Sequence, residues 1–138
     1  MGGCGAKAKA VLDTWEKCDY DAVMAMLADG AEVKDHPRGT VIRDRNEVRA
    51  WFESWKVACP DAVSGVQPTV ESDRGAVVEG VYRGTNTGPF GPFPATGRTV
   101  EVPFNIVMQF TPEGLVSEYA AYYDQYTLLQ QLGHVPAG

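Results

Sequence analysis

No stretch of the 138-residue chain approaches the ~18 consecutive apolar residues of a membrane-spanning helix, and no apolar run follows the N-terminus as in a secretory signal. A cytoplasmic protein is the expectation. Histidine is scarce, with His36 and His134 far apart, and the three cysteines Cys4, Cys18 and Cys59 form no C-x-x-C pair. A His/Cys metal centre would need scattered ligands that no spacing advertises, so neither metal nor other cofactor is expected. Positive charge is also short: 12 Lys+Arg face 18 Asp+Glu, a net charge of −6. Such a field repels phosphate backbones and argues against a nucleic-acid partner. The opening Met-Gly-Gly-Cys-Gly is like an acylation signal, but Ala6 stands where Ser or Thr is required, and no membrane partner is expected. Gly88, Gly91 and Gly97 lack the G-x-G-x-x-G spacing, and no helix follows them to receive a phosphate.

What is present is the composition of one globular domain, 44% hydrophobic and 22% charged. Residues 1–5, with three glycines, read as a flexible start before a single domain over 6–138. A first helix is expected over Ala6 to Cys18 and a second over Tyr20 to Leu27, capped by Asp19 and ended by Asp29-Gly30. Short strands follow at Ala31 to Lys34 and Gly39 to Ile42. Asp44 and Glu47 have capping-box spacing, and Val48, Trp51, Phe52 and Trp55 lie at i, i+3, i+4 and i+7, which predicts a third helix from Arg45 to Ala58. The second half is rich in Val, Thr, Tyr and Phe, with turn signals between strands at Val66 to Val70, Ala76 to Thr87, Thr99 to Phe110 and Val116 to Tyr123. A short helix through Leu128 and Leu132 closes the chain. The expected class is α+β: a curved antiparallel sheet, cone-shaped, covered by three N-terminal helices. Its concave face would hold a small-molecule pocket.

Four motifs then fall in the right order for a known family. Gly84-Thr85-Asn86-Thr87-Gly88-Pro89-Phe90 leads to Pro94-Ala95-Thr96-Gly97-Arg98. Asp35-His36-Pro37-Arg38-Gly39 forms a turn after the first strand, and Ala58-Cys59-Pro60-Asp61 ends the third helix. Glu118, Asp124 and the tail Leu128-Leu129-Gln130-Gln131-Leu132-Gly133 match in spacing. From Leu12 to Pro136 the chain resembles the SnoaL-like polyketide cyclases of the nuclear-transport-factor-two-like superfamily. The resemblance implies the cone fold and its pocket. It does not carry the family's catalytic set: Asn86, Val107, Tyr119 and Ala121 occupy the positions where the cyclases place histidines and an acid. The related ketosteroid isomerases use an aspartate where Asp35 stands and carry a second acid close to Asn105.

The residues themselves offer Asp35 as a base at a strand end, or as an Asx-turn residue beside His36-Pro37. Tyr119 is a phenol for a developing oxyanion, and by alternation it shares a face with Ala121 and Tyr123 while Tyr122 faces the other way. Asp124 is either a carboxylate for water activation or the cap of the last helix. Asn86 and Asn105 lie in apolar strands, where an amide needs partners from a ligand or from backbone. Trp15, Trp51 and Trp55 are core residues that also suit a flat ligand. Phe104, Ile106, Met108 and Phe110 share one face, lining the cavity or pairing two subunits in a homodimer. The expected partner is a small hydrophobic carbonyl-bearing molecule. The expected activity is cofactor-free acid/base chemistry of the cyclase or isomerase kind. Epoxide hydrolysis and a non-catalytic binding module are the alternatives.

Overall fold

A computed structural model describes residues 3–136 of the chain. Helices α1 (Cys4–Glu16) and α2 (Tyr20–Ala25) come first, then strand β1 (Leu27–Asp35), a 3-10 turn at His36–Arg38, strand β2 (Thr40–Ile42) and helix α3 (Arg45–Ala58). Strands β3 (Gln67–Glu71), β4 (Gly75–Thr85), β5 (Thr99–Phe110) and β6 (Val116–Tyr123) follow, and α4 (Gln125–Leu132) ends the fold. The α+β class and the three leading helices are as expected. No helix among the described residues is long and apolar enough to cross a membrane.

The sheet is six-stranded in the order β2-β1-β6-β5-β4-β3. It is mixed, a correction to the expected antiparallel sheet: β3 to β6 form an antiparallel meander, but β1 runs parallel to β6, with Asp35 opposite Ala121. The parallel join follows from chain order. β1 enters before the meander and is linked to it through β2 and α3, so no tight hairpin dictates its direction. The consequence is functional: the C-terminal ends of β1 and β6 lie side by side.

Two local expectations are corrected. Asp29-Gly30 does not end α2; it sits inside β1 at a register shift between Leu27 and Glu32, where Gly30 takes a φ of 75°. A bulge of this kind needs a residue that tolerates positive φ. Residues 3–5 are not a loose start either, while residues 1 and 2 lie outside the described part. α1 begins at Cys4 because Glu71 of β3 caps it from afar: its Oε1 accepts the Gly3 N–H at 2.9 Å and the Gly5 N–H at 3.2 Å. A Cβ on Gly5 would come within 2.9 Å of that carboxylate, so the glycine that weakens the helix also permits the cap.

α3 forms as its pattern predicts. Asp44 Oδ1 accepts the Glu47 N–H at 3.0 Å, and Val48, Trp51 and Phe52 are buried against the concave face of the sheet. Met108, Val78, Val33 and Phe52 form the tight centre of the core, each no more than 2% exposed.

Candidate functional site

The aromatic stripe of α3 does not pack flush against the sheet. Between them lies a cavity of about 60 Å³, walled by Trp15 of α1, Trp51 and Trp55 of α3, Tyr82 of β4, Phe104 of β5, and Tyr119 and Tyr123 of β6. Its rings meet edge to face: Trp51 lies 5.7 Å from Tyr119 and 5.8 Å from Trp55, and Trp55 lies 5.2 Å from Tyr123. Such pairs fix ring orientation beyond what simple burial would. The space is well below the ~300–1,000 Å³ of most ligand pockets. A ligand larger than a few water molecules therefore enters only as side chains at the rim move.

The parallel join of β1 to β6 places the one buried carboxylate among the described residues behind this wall. Asp35 is 0% exposed. Its Oδ1 accepts the Tyr123 hydroxyl at 2.7 Å, and its Oδ2 accepts the Trp51 Nε1–H at 3.0 Å. Arg38 Nη1 approaches Oδ2 to 3.4 Å. Asp35 is absent from the cavity wall, whereas Tyr123 and Trp51 line it, so the carboxylate meets the cavity through that phenol and that indole, of which the phenol alone can exchange a proton with it at neutral pH. Burial pushes the Tyr123 phenol well up, the Arg38 charge pulls against it, and the bond to Asp35 adds to the rise. The Tyr119 phenol is pushed up by burial alone, and its hydroxyl has no hydrogen-bond partner among the described residues. Trp55 Nε1 is likewise buried and unpartnered. Trp15 is different: its Nε1–H donates to Phe52 O at 2.9 Å, and only its ring serves the cavity.

Arg38 is the functional group that sequence reasoning missed. Its signal was the Asp35-x-x-Arg38 spacing, because i and i+3 eclipse in a 3-10 turn. The guanidinium carbon lies 5.0 Å above the Trp55 ring and 4.8 Å above Phe90.

Three expected site residues lie elsewhere. Asn86 is buried, but its amide is fully used: Nδ2 donates to Ala58 O at 3.0 Å and Gly88 O at 2.9 Å, while Oδ1 accepts from Thr96 N at 2.8 Å and Thr96 Oγ1 at 3.3 Å. It ties the β4–β5 connection to the end of α3 and does not line the cavity. Asn105 alternates with Phe104 and Ile106 and so faces outward, level with Glu79 and with Tyr122, which is 41% exposed. Asp124 is the N-cap of α4, accepting Thr127 N at 3.2 Å and Thr127 Oγ1 at 2.7 Å, and those bonds hold its carboxyl below the usual value. His36 stacks on Tyr122, 4.5 Å between rings, on the outer face. Phe104 and Ile106 line the cavity and Met108 is fully buried, so three of the four residues offered as a subunit-pairing face point inward. Among the described residues no three His, Cys, Asp or Glu side chains converge as metal ligands would.

The fold is shared with solved structures of low sequence identity. A candidate SnoaL-like polyketide cyclase from Jannaschia sp. CCS1 is similar at a TM-score of 0.81 and 18% identity, over 99% of this chain and 98% of that one. IdmH, a candidate polyketide cyclase from Streptomyces antibioticus, is similar at 0.80 and 22% identity, over 95% and 99%. SalBIII, described as an epoxide hydrolase/cyclase-like enzyme with a role in pyran ring formation in the polyether salinomycin, is similar at 0.71 and 18% identity, over 86% and 88%. No curated protein matches the chain by sequence. The family model that matches, over residues 7–132, is that of the SnoaL-like polyketide cyclases, and the chain belongs to that family.

Proposed function

We propose that the protein moves a proton next to the carbonyl of a small apolar molecule, without a cofactor, and that Asp35 is the base, acting through Tyr123. The observation that carries this is the 2.7 Å bond from the Tyr123 hydroxyl to a carboxylate with no exposure of its own. In the step proposed, the proton on the carbon beside the carbonyl passes to the Tyr123 oxygen as the phenol's own proton passes to Asp35 Oδ1. The C–H electron pair becomes an enolate. Return of a proton at another carbon completes an isomerisation, and attack of the enolate carbon on a second carbonyl closes a ring. The aromatic wall excludes water, which strengthens each of these interactions.

Tyr119 takes a separate role. It lies four residues from Tyr123 on one strand face, about 13 Å apart between Cα atoms at ~3.3 Å per residue. Its free hydroxyl serves an oxygen at the other end of the ligand, away from the Arg38 turn.

Deuterium exchange tests this reading with 2-tetralone, a flat apolar ketone with exchangeable C–H bonds, followed by NMR in D₂O. Exchange above background is expected. Asp35→Asn and Tyr123→Phe should each lower it by roughly 10²–10⁴-fold, the usual weight of a positioned acid/base group. Asp124→Asn should not, since asparagine also caps. Undiminished exchange in both Asp35→Asn and Tyr123→Phe would end the proposal. A second reading has its own support. Asp35 already accepts two hydrogen bonds and faces a guanidinium, an arrangement equally suited to holding Tyr123 and Trp51 still in a pocket that only binds.

A further inference from the structure

We propose that Arg38 forms a binding site for the carboxylate of a ligand whose apolar body fills the aromatic cavity. The proposal rests on the reading of that cavity as the ligand site and adds the ligand's charge to it.

The guanidinium is held but not used. Its carbon lies over Trp55 and Phe90, whose own rings are 5.4 Å apart, so it rests above the notch where the two rings meet. Asp35 fixes one side of it at 3.4 Å. Apart from that ion pair and its approach to the Tyr123 hydroxyl, it has no polar side-chain partner among the described residues, although a guanidinium carries five N–H donors. Arg45 shows the opposite condition: its Nη2 donates to Met24 O at 2.7 Å, and its Nη1 lies within reach of the Leu27 and Ala28 carbonyls. The Arg38 side chain is 29% exposed, so solvent reaches it.

The surroundings select the acceptor. The cavity wall is aromatic and aliphatic and contains no carboxylate, so an incoming anion meets no like charge there. Asp35, the nearest acid, is covered and already paired. A planar carboxylate matches the guanidinium fork with two parallel bonds, which a lysine ammonium could not offer. The whole chain carries −6, so no long-range field draws an anion in. Recognition has to be local. Two cations stand on rings of the wall, Arg38 over Trp55 and Lys56 over Trp15, but Lys56 is buried and donates to Ala62 O at 2.6 Å, which leaves Arg38, placed beside the wall rather than in it.

A matched pair of probes tests this: 2-naphthoate and its methyl ester, with dissociation constants measured by calorimetry and tryptophan quenching. The wild type should bind the acid at least ~10-fold more tightly than the ester, the margin of one good charged contact. Arg38→Gln should erase the preference by weakening the acid alone. Arg38→Lys should restore it only in part. Asp35→Asn, which removes the competitor for the guanidinium, should tighten the acid further. Equal affinity for acid and ester in the wild type, or a preference that survives in Arg38→Gln, overturns the Arg38 site and leaves the cavity reading standing. Binding of neither probe overturns both. If Arg38→Gln fails to fold, the wild-type ratio and Arg38→Lys decide.

Discussion

Two buried polar side chains, Asn86 and Tyr119, meet opposite fates. Asn86 is 0% exposed and all four of its amide contacts are made; Tyr119 is 2% exposed and its hydroxyl makes none. The contrast extends to their neighbourhoods. Around Asn86, and at Glu16, whose Oε1 accepts from the Ser64 N–H, the Ser64 hydroxyl and the Gly65 N–H, donors and acceptors are matched. Around the cavity, the Tyr119 hydroxyl, the Trp55 Nε1–H and most of the Arg38 donors are left over. An unmatched buried group costs roughly 1–3 kcal/mol, so it is a poor way to build a core and a good way to prepare a binding surface. Saturation thus separates these two neighbourhoods, while His134 Nε2, in the tail against Phe93, is buried and unpartnered outside the cavity.

The largest effect expected from this comparison is at the saturated end. Asn86→Leu keeps the approximate shape but strands Gly88 O and Thr96 N and leaves Ala58 O with the Gly88 N–H alone, and should cost about 2–4 kcal/mol in urea denaturation. Gly88 lies against the Val57 carbonyl, where no Cβ fits, so the connection cannot shift to repair the loss. A cost below about 1 kcal/mol would break the link between saturation and stability.

A smaller effect belongs to Glu16. Burial works to raise its carboxyl, but the Ser64 N–H, the Ser64 hydroxyl and the Gly65 N–H, with the Lys56 charge nearby, hold it below its ordinary 4.5. A carboxyl depressed on folding stabilises the protein at neutral pH, and that contribution is lost as pH falls through 4.5 and below. Solvent reaches this group, so the screened figure is about 1 kcal/mol. Glu16→Gln should therefore flatten the acid limb of the stability curve, measured as the urea midpoint at successive pH values. An unchanged limb would place the acid sensitivity elsewhere.

The same comparison explains what could be read before the fold was known. α3 was legible because its cap and its apolar stripe are local in sequence. The sharing of one face by Tyr119, Ala121 and Tyr123 was legible from alternation. Alternation does not say which face turns inward, and that is where Asn105 was misplaced: one step along β5 separates the wall residue Phe104 from the outer surface. Asn86 looked like a ligand group because its partners come from the end of α3 and from a loop ten residues on. The pairing of Asp35 with Tyr123 depends on the parallel join of β1 and β6, a contact no local pattern encodes. The Glu71 cap on α1 is long-range in the same way.

The smallest effect is the sharpest test. Tyr82 and Tyr119 both line the cavity, and both phenols are pushed up by burial. Tyr82 has a partner, donating its hydroxyl to Trp55 O at 2.5 Å, while Tyr119 has none. Tyr82→Phe should cost about 1 kcal/mol, the net worth of an ordinary hydrogen bond. Tyr119→Phe should fall within about 0.5 kcal/mol of zero, or stabilise, because it removes only a desolvated hydroxyl. It should nevertheless weaken a ligand with an oxygen at its far end and leave one without that oxygen unaffected. If the two substitutions cost the same, the Tyr119 hydroxyl is satisfied by ordered water in the free protein, and what a ligand gains there is the exchange of that water for its own oxygen.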